Sequence, residues 1–262
     1  MQIVTYSTKN LVKRHRGTMP IILTAPHGGS EQPPRVSART GAPAGCDGRE
    51  KFVVGRDDRT AEVTEAVAKR ILETTGLSPY VVIAEFGRTF IDANRTEACA
   101  FTDRQAKPFY DEYHSRIDGY MKQILDQNGG RGFLFDIHGS GVQSDNPADI
   151  FLGTAHRRTL QEGYAYERLF AQHGLQGLLA WTRLPSLSGG KPFQFQISPT
   201  KADEDEFGPL SGGNTVLRCG GRINAIQIEI TTPFRTQANK FEYLVEALAN
   251  AMIHSVRRYA PF

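Results

Sequence analysis

Four short apolar segments that end in chemically reactive residues constrain the fold of this chain more than any other feature. The segments are PIILTA, YVVIAEF, GFLFDI and INAIQIEI. VVIAEF and FLFDI are apolar almost throughout, which is typical of parallel strands covered by helices on both faces. Longer amphipathic segments lie between them, and this alternation predicts an α/β domain.

The predicted elements can be placed along the chain from these patterns. The predicted strands are Gln2–Tyr6, Pro20–Ala25, Tyr80–Phe86, Gly132–Ile137, Asp149–Gly153 and Ile223–Ile230. The predicted helices are Arg59–Thr75, Lys107–Gln127, Leu160–His173 and Lys240–Tyr259. We therefore expect residues 1–262 to form one three-layer α/β sandwich around a mostly parallel mixed sheet.

Composition excludes several classes of protein. A net charge of +3, with 31 Lys and Arg scattered along the chain, is too mild for a nucleic-acid-binding surface. No run of 18 apolar residues occurs, so we expect no membrane span. The three cysteines, Cys46, Cys99 and Cys219, are far apart and odd in number. They predict neither a disulfide framework nor a zinc ribbon, and they favour a reducing cytoplasm.

Two long segments rich in Gly, Pro, Ser and Asp are predicted to be functional loops. They are Pro33–Gly55 and Pro192–Gly221. Irregular segments of this length inside a compact domain commonly cover a binding site. In open α/β sheets ligands bind at the carboxyl ends of the strands, so these loops should lie over the residues that follow each strand.

Two histidines occupy matching positions at predicted strand ends. His27 and His138 are each followed by glycine, which lets a metal ion or a ligand approach without steric conflict. Asp136 lies on the same face of its strand as His138 because side chains alternate with a period of two. Asp136 is a candidate for the acceptor that orients the imidazole, or it is simply another polar group at the rim of the sheet.

A third metal ligand is expected near His27. Glu31 follows His27 across a Gly-Gly-Ser turn, and a His2Glu set with His138 suits zinc or another divalent metal. A solvent-facing Glu31 is the alternative. Asp57 and Asp58 compete for the role, although aspartate before a helix is ordinarily a cap.

The segment GRTFIDANR concentrates polar groups after a buried strand. Arg88 and Arg95 carry guanidinium groups that could grip a substrate carboxylate through two hydrogen bonds. Asn94 lies beside Arg95, and Asp92 offers a structural ion-pair partner instead. The sequence leaves both interpretations open.

Glu229 lies inside the apolar strand IQIEI, with Gln227 on the same face. A charged residue in a buried strand is costly unless it is paired or used chemically. If its face opens on a metal site, burial would raise the pKa of Glu229 and make it a general base. The alternative is a salt bridge to Arg235 or Arg95.

Taken together, the strand ends resemble the N-formylglutamate amidohydrolase family, and the resemblance spans roughly residues 20–234. The corresponding motifs occur in the family's order, as Pro26–Gly29, Arg88–Arg95, Asp136–His138, Gly212–Gly220 and Ile226–Ile230. That family is similar in turn to zinc carboxypeptidases and aspartoacylase-like hydrolases. The resemblance implies a phosphorylase/hydrolase-like three-layer fold and a zinc-dependent active site.

The resemblance also implies a role for individual residues. His27 and His138 match the metal ligands, Asn94 and Arg95 the substrate-binding pair, Arg88 a further polar contact, and Glu229 the general base. The spacing from His27 to Glu31 departs from the wider superfamily, so the third ligand is Glu31 or Asp58. The run NTVLR also differs from the corresponding run in the family. Asn214 and Arg218 in this run are therefore candidates for recognising a substrate other than formylglutamate.

We therefore expect a zinc-dependent hydrolase that cleaves an amide bond in a small carboxylate-bearing N-acyl amino acid such as N-formylglutamate. A peptidase or poly-γ-glutamate hydrolase with the same metal site is the first alternative. A non-catalytic protein that binds carboxylate ligands on the same scaffold is the second. The expected partner is a small substrate rather than nucleic acid or a membrane, and a homo-oligomer is compatible with the sequence.

Overall fold

The computed structural model describes residues 4–48, 50–182 and 193–262, which form a central sheet flanked by helices. The strands are β1 Ser7–Lys9, β2 Val12–His15, β3 Ile21–Ala25, β4 Tyr80–Ala84, β5 Phe133–Ser140, β6 Ile150–Gly153, β7 Ile197–Ser198 and β8 Asn224–Thr231. The helices are α1 Thr60–Thr75, α2 Glu97–Ala100, α3 Lys107–Gln127, α4 Leu175–Trp181, α5 Asn214–Cys219, α6 Thr232–Thr236 and α7 Ala238–Arg257.

The strands form one eight-stranded sheet in the order β1-β2-β4-β3-β5-β8-β6-β7. The four central strands, β4, β3, β5 and β8, are parallel to one another. Strand β2 joins this group antiparallel on one side and β6 on the other. The mostly parallel mixed sheet expected from the sequence is therefore confirmed.

Side-chain alternation divides the core into two layers. Ile21 and Leu23 of β3 pack in the layer that holds α1, α4 and α7, whereas Ile22 packs in the layer of α3. Helix α5 joins the α3 layer through Val216 and Cys219. The result is the predicted three-layer sandwich. No helix in the described part of the chain is both long enough and apolar enough to cross a membrane.

The register of β5 against β8 places polar side chains together at one edge. Asp136 pairs with Gln227, and His138 pairs with Glu229. Because β3, β4, β5 and β8 run in the same direction, their carboxyl ends meet at this edge. All four residues are buried, so the sheet itself positions them.

Two predicted elements differ from the structure. Residues 4–6 of the predicted strand Gln2–Tyr6 are irregular, and its start lies outside the described residues. The predicted helix Leu160–His173 is replaced by turns and a 3-10 segment at Tyr166–Leu169. Gly163 adopts a left-handed conformation (φ 82°), which interrupts a helix at that point. The helical pattern resumes in α4.

The cysteines correct a second expectation, because Cys46 and Cys99 form a disulfide bond and Cys219 is a buried free thiol. The bond joins the long loop 33–55 to the segment that follows GRTFIDANR. Wide spacing in sequence concealed the pair, since 53 positions separate two cysteines that the fold brings together. Cysteine usage therefore no longer favours a reducing compartment.

Candidate active site

A cavity of about 740 Å³ opens at the edge of the sheet where the parallel strands end. Many of the residues singled out from the sequence line it, namely His27, Arg88, Asn94, Arg95, His138, Asn214 and Glu229. Both long loops contribute to its walls, as the sequence predicted: Glu50, Lys51 and Val53 come from loop 33–55, and Gly208, Leu210 and Gly213 from loop 192–221. Pro192, the first residue of the second loop, lies outside the described residues.

The two strand-end histidines converge on one carboxylate oxygen. Nδ1 of His27 lies 3.3 Å from Oδ2 of Asp57, and Nδ1 of His138 lies 3.2 Å from the same oxygen. The two imidazole rings are in an edge-to-face arrangement with centroids 4.9 Å apart. The backbone amide of Gly139 also donates to Oδ2 of Asp57 at 3.1 Å, which fixes the carboxylate between the rings.

The outer nitrogen of each imidazole faces a second buried carboxylate. Nε2 of His27 lies 2.7 Å from Oδ1 of Asp92, and Nε2 of His138 lies 2.9 Å from Oδ2 of Asp136. Asp136 also accepts a hydrogen bond from the hydroxyl of Thr24. A carboxylate at Nε2 holds a proton on that nitrogen and leaves the lone pair on Nδ1, as in metal sites.

His27, Asp57 and His138 are the described residues that could hold a metal ion. One ligand atom from each lies within 4.8 Å of the others, and all three residues are buried. Around a tetrahedral zinc ion with bonds of about 2.0–2.1 Å, neighbouring ligand atoms stand roughly 3.3 Å apart. The two separations from Asp57, 3.3 and 3.2 Å, match that spacing.

The electrostatic environment between Asp57 and the two imidazoles favours a positive charge. Burial by itself raises the pKa of Asp57, but the two imidazoles outweigh burial and hold that pKa well below its usual value. Burial lowers the pKa of His138, yet the carboxylates of Asp136 and Asp57 raise it well above its usual value. A divalent cation would satisfy the same surroundings in place of a proton.

Glu31, the third ligand expected from the sequence, lies elsewhere. Its amide donates to the carbonyl of Glu85, and its carbonyl accepts from Gly87, so the chain continues along the end of β4. The exposed side chain lines a second, smaller cavity. A Cβ on Gly29 would lie 2.2 Å from the backbone of Glu85, so this glycine admits a neighbouring strand rather than a ligand.

Asp57, rather than Glu31 or Asp58, lies between the two histidines. The side chain of Asp58 is 72% exposed, so it faces solvent. The amide of Asp57 donates to the carbonyl of His27 at 3.1 Å, which ties the start of α1 to the end of β3. The expectation that Asp57 is a helix cap is wrong, because its carboxylate faces the imidazoles. The sequence did contain one signal for a second role of aspartate here, because two adjacent aspartates precede a helix that needs only one capping residue.

Glu229 lies in the same cavity, with Gln227 beside it. Nε2 of Gln227 donates to Oε1 of Glu229 at 3.0 Å. Burial raises the pKa of Glu229 to about 7, despite the opposing charge of His138. The shared face of the two residues was predicted from the strand pattern, whereas the alternative partner Arg235 donates to the carbonyls of Ile230 and Ser140. A carboxyl that titrates near neutrality can accept a proton from water.

The two arginines of GRTFIDANR differ in exposure. Arg88 is buried, and its Nε donates to Oδ2 of Asp92 at 2.8 Å. Arg95 is partly exposed to the cavity, with its side chain 18% accessible. It donates to the carbonyl of Lys51, which holds the loop 33–55 against the site. Lys51 was not selected from the sequence, because a single lysine in a loop carries no pattern.

Asn94 connects the site to α5. Its Oδ1 accepts from the amide of Thr215 at 2.8 Å, and its Nδ2 lies 3.3 Å from Nε2 of His138. A Cβ on Gly213 would lie 2.1 Å from Nδ2 of Asn94, so glycine is needed for this close approach. The side-chain oxygen of Asn94 is therefore already hydrogen-bonded to Thr215. The contact between Asn94 and substrate that the sequence predicted would have to use Nδ2.

Arg218, a further candidate from the sequence, points away from the cavity. Its guanidinium donates to Oδ2 of Asp118 on α3 at 2.6 Å. Asn214 and Leu217 of the same helix do line the cavity. The ion pair with Asp118 accounts for the difference, because it holds the partly exposed guanidinium of Arg218 at α3 although Asn214 lies one turn earlier on the same helix.

Comparison with known proteins identifies solved structures that share this fold. No family model matches the sequence, and no curated protein matches it. Among solved structures, N-formylglutamate amidohydrolase from Ralstonia eutropha JMP134 is similar, with a TM-score of 0.57, 18% identity, and 92% of this chain and 94% of that chain covered. A gene product of Agrobacterium tumefaciens is similar with a TM-score of 0.59 and 12% identity, over 95% and 94% of the two chains. At these identities the likeness shows a shared fold.

The buried carboxyl of Glu229 predicts a pH-dependent effect of Glu229→Gln on the metal-free protein. The pKa of about 7, against an ordinary 4.5, means that folding favours the protonated carboxyl, so wild type loses stability as pH rises through this range. The amide does not ionise. We expect the variant's free energy of unfolding to gain roughly 2–3 kcal/mol over wild type between pH 5 and pH 8.

Urea unfolding with a chelator present measures this difference. Glu31→Gln is the matched control, because Glu31 is exposed and its substitution should leave the pH dependence of wild type unchanged. A Glu229→Gln difference that stays constant across the pH range would show that Glu229 is not a carboxyl of raised pKa.

Proposed function

We propose that this protein is a metal-dependent hydrolase that cleaves the amide bond of a carboxylate-bearing N-acyl amino acid such as N-formylglutamate. The observation that carries the proposal is the convergence of His27 and His138 on one oxygen of Asp57, in the cavity that also holds Glu229. The shared fold with the Ralstonia eutropha amidohydrolase supports it by analogy, as does the resemblance of the strand-end motifs. We propose membership of the same family on these grounds.

We propose that His27, Asp57 and His138 would hold a zinc ion or another divalent metal. Two imidazole nitrogens and one carboxylate oxygen are a donor set that zinc accepts in catalytic sites. When bound, the ion would supply a Lewis acid that polarises the scissile carbonyl and lowers the pKa of a water molecule. Asp92 and Asp136 hold the imidazoles in the orientation that this requires.

Glu229 serves as the general base in this proposal. It takes a proton from the water that attacks the acyl carbon, and the carbon–nitrogen bond then breaks. The same proton passes from Glu229 to the leaving nitrogen, and the proton of the new carboxylic acid goes to the amine, so the products are a carboxylate and an ammonium group. Gln227 keeps the carboxyl of Glu229 in place through its hydrogen bond at 3.0 Å.

The cationic side chains of the cavity would bind the carboxylate of the substrate. Arg95 and Lys51 lie at the same wall, and a guanidinium can grip a carboxylate through two hydrogen bonds. The Arg88 guanidinium also borders the cavity, where it would stabilise negative charge on the scissile oxygen. Nδ2 of Asn94 and the side chain of Asn214 would add neutral contacts.

A peptidase or poly-γ-glutamate hydrolase is the second candidate. The cavity volume of about 740 Å³ supports a larger substrate, because cavities of roughly 300–1,000 Å³ accommodate drug-sized ligands. N-formylglutamate is smaller than such ligands. Hydrolysis rates on a panel of N-acyl amino acids, dipeptides and γ-glutamyl peptides separate the two functions.

The metal assignment predicts opposite results for two acidic residues. Asp57→Asn should weaken zinc binding by about tenfold or more, because an amide oxygen is a poorer ligand and the imidazoles lose their shared carboxylate. Glu31→Gln should leave the zinc dissociation constant unchanged, since Glu31 lines another cavity. Isothermal titration calorimetry with zinc on chelator-treated protein measures both.

Far-ultraviolet circular dichroism of each variant checks that folding is preserved. Weakened zinc binding in Glu31→Gln, together with wild-type binding in Asp57→Asn, would restore the ligand set expected from the sequence. Equal binding in both variants would place the metal outside the group formed by His27, Asp57 and His138.

The role of Glu229 predicts a loss of turnover without a loss of metal. Glu229→Gln should lower kcat on N-formylglutamate by about a hundredfold or more, because general acid–base catalysis contributes roughly 10²–10⁴-fold. KM should change little, since Glu229 does not bind the carboxylate in this account. Steady-state kinetics of the zinc-loaded variant, with zinc content measured on the same sample, give the result.

Glu31→Gln again serves as the control of matched chemistry. A zinc-loaded Glu229→Gln variant with the turnover of wild type would remove Glu229 from the mechanism and leave the metal site untouched. A loss of turnover that follows a loss of zinc would assign Glu229 to metal binding.

A further inference from the structure

The rim of the cavity carries apolar side chains that a formylated amino acid does not explain. In the described part of the chain, six large apolar side chains are exposed; two of them, Val53 and Leu217, line the cavity, and three more adjoin lining residues in sequence. These five are Phe52, Val53, Val54, Val142 and Leu217. The sixth, Trp181, ends α4. We call the five residues the apolar rim.

Exposed apolar side chains cost little when scattered, but a group of them around one opening marks a binding surface. Leu217 lines the cavity and is 46% exposed, so its side chain is free to contact a ligand there. Leu210 and Pro209 continue the apolar surface inward, since both line the cavity. The surface therefore runs from solvent toward the catalytic residues.

Leu210 also brings this surface close to the proposed base. Its carbonyl accepts a hydrogen bond from Nε2 of Gln227 at 3.3 Å, and the same nitrogen donates to Oε1 of Glu229. Leu217 lies one helical turn beyond Gly213, with its amide bonded to the carbonyl of Gly213. Leu210, Leu217 and Glu229 line the same cavity, so an apolar group on a substrate held at Glu229 has apolar side chains within that cavity to contact.

We propose that the natural substrates of this site are N-acyl amino acids whose acyl group is an extended aliphatic chain. This inference rests on the proposed amidohydrolase function and names its substrate class. Lys51 and Arg95 account for the amino acid's carboxylate, and the apolar rim accounts for the chain. Water adds to the acyl carbon, the carbon–nitrogen bond breaks, and the products are a fatty acid carboxylate and the free amino acid.

The experiment compares acyl chains of increasing length on the same amino acid. The probes are the N-formyl, N-acetyl, N-butanoyl and N-octanoyl derivatives of glutamate and of leucine, with zinc-loaded wild-type protein. We expect kcat/KM to rise with chain length and to be at least about tenfold higher for N-octanoyl than for N-formyl, because each buried methylene strengthens binding.

Leu217→Gln and Trp181→Gln form a matched pair of variants. Each replaces an exposed apolar side chain on a helix with glutamine, but Leu217 lines the cavity and Trp181 ends α4, outside the apolar rim. We expect Leu217→Gln to reduce the N-octanoyl to N-formyl ratio of kcat/KM several-fold. The ratio in Trp181→Gln should equal that of wild type.

Two results would overturn the inference in distinguishable ways. If N-formyl and N-acetyl derivatives are hydrolysed as fast as N-octanoyl derivatives, the substrate class is wrong while the amidohydrolase function stands. If no derivative of any length is hydrolysed by zinc-loaded protein, the proposed function itself fails. If both variants reduce the N-octanoyl to N-formyl ratio of kcat/KM equally, Leu217 has no specific role in recognising the acyl chain.

Discussion

The contact on which the rest of the site depends is the Asp57 oxygen that two imidazoles share. Burying a carboxylate is costly unless charge and hydrogen bonds compensate, and here His27, His138 and the amide of Gly139 surround it. Asp92 and Asp136 back the two imidazoles in turn. Removing Asp57 would leave this buried cluster without the centre that both rings face.

The sheet explains why these groups meet. Parallel β3, β4, β5 and β8 deliver His27, Asp92, His138 and Glu229 to one edge, although more than two hundred positions separate the first from the last. The loops then close around that edge: loop 33–55 returns the chain to Asp57 and supplies Lys51, and α5 is held through Asn94. A rigid sheet carries the proposed catalytic groups, and the loops form the walls of the cavity.

Much of this arrangement follows from sequence patterns, and the exceptions have physical reasons. Apolar runs predicted the parallel strands, and period-two alternation placed Asp136 with His138 and Gln227 with Glu229 correctly. Long-range contacts leave no local pattern, which is why the Cys46–Cys99 bond escaped prediction. The tie of Asp57 to His27 is of the same kind. Glu31 was misplaced because the Gly-Gly-Ser turn continues along β4 instead of folding back.

Anomalous diffraction at the zinc absorption edge tests the proposal that one metal ion binds among His27, Asp57 and His138. For crystals grown with zinc, we expect a strong anomalous peak about 2.0–2.2 Å from Nδ1 of both histidines and from a carboxylate oxygen of Asp57. A peak beside Glu31, or density between the imidazoles without anomalous signal in zinc-loaded protein, would contradict it.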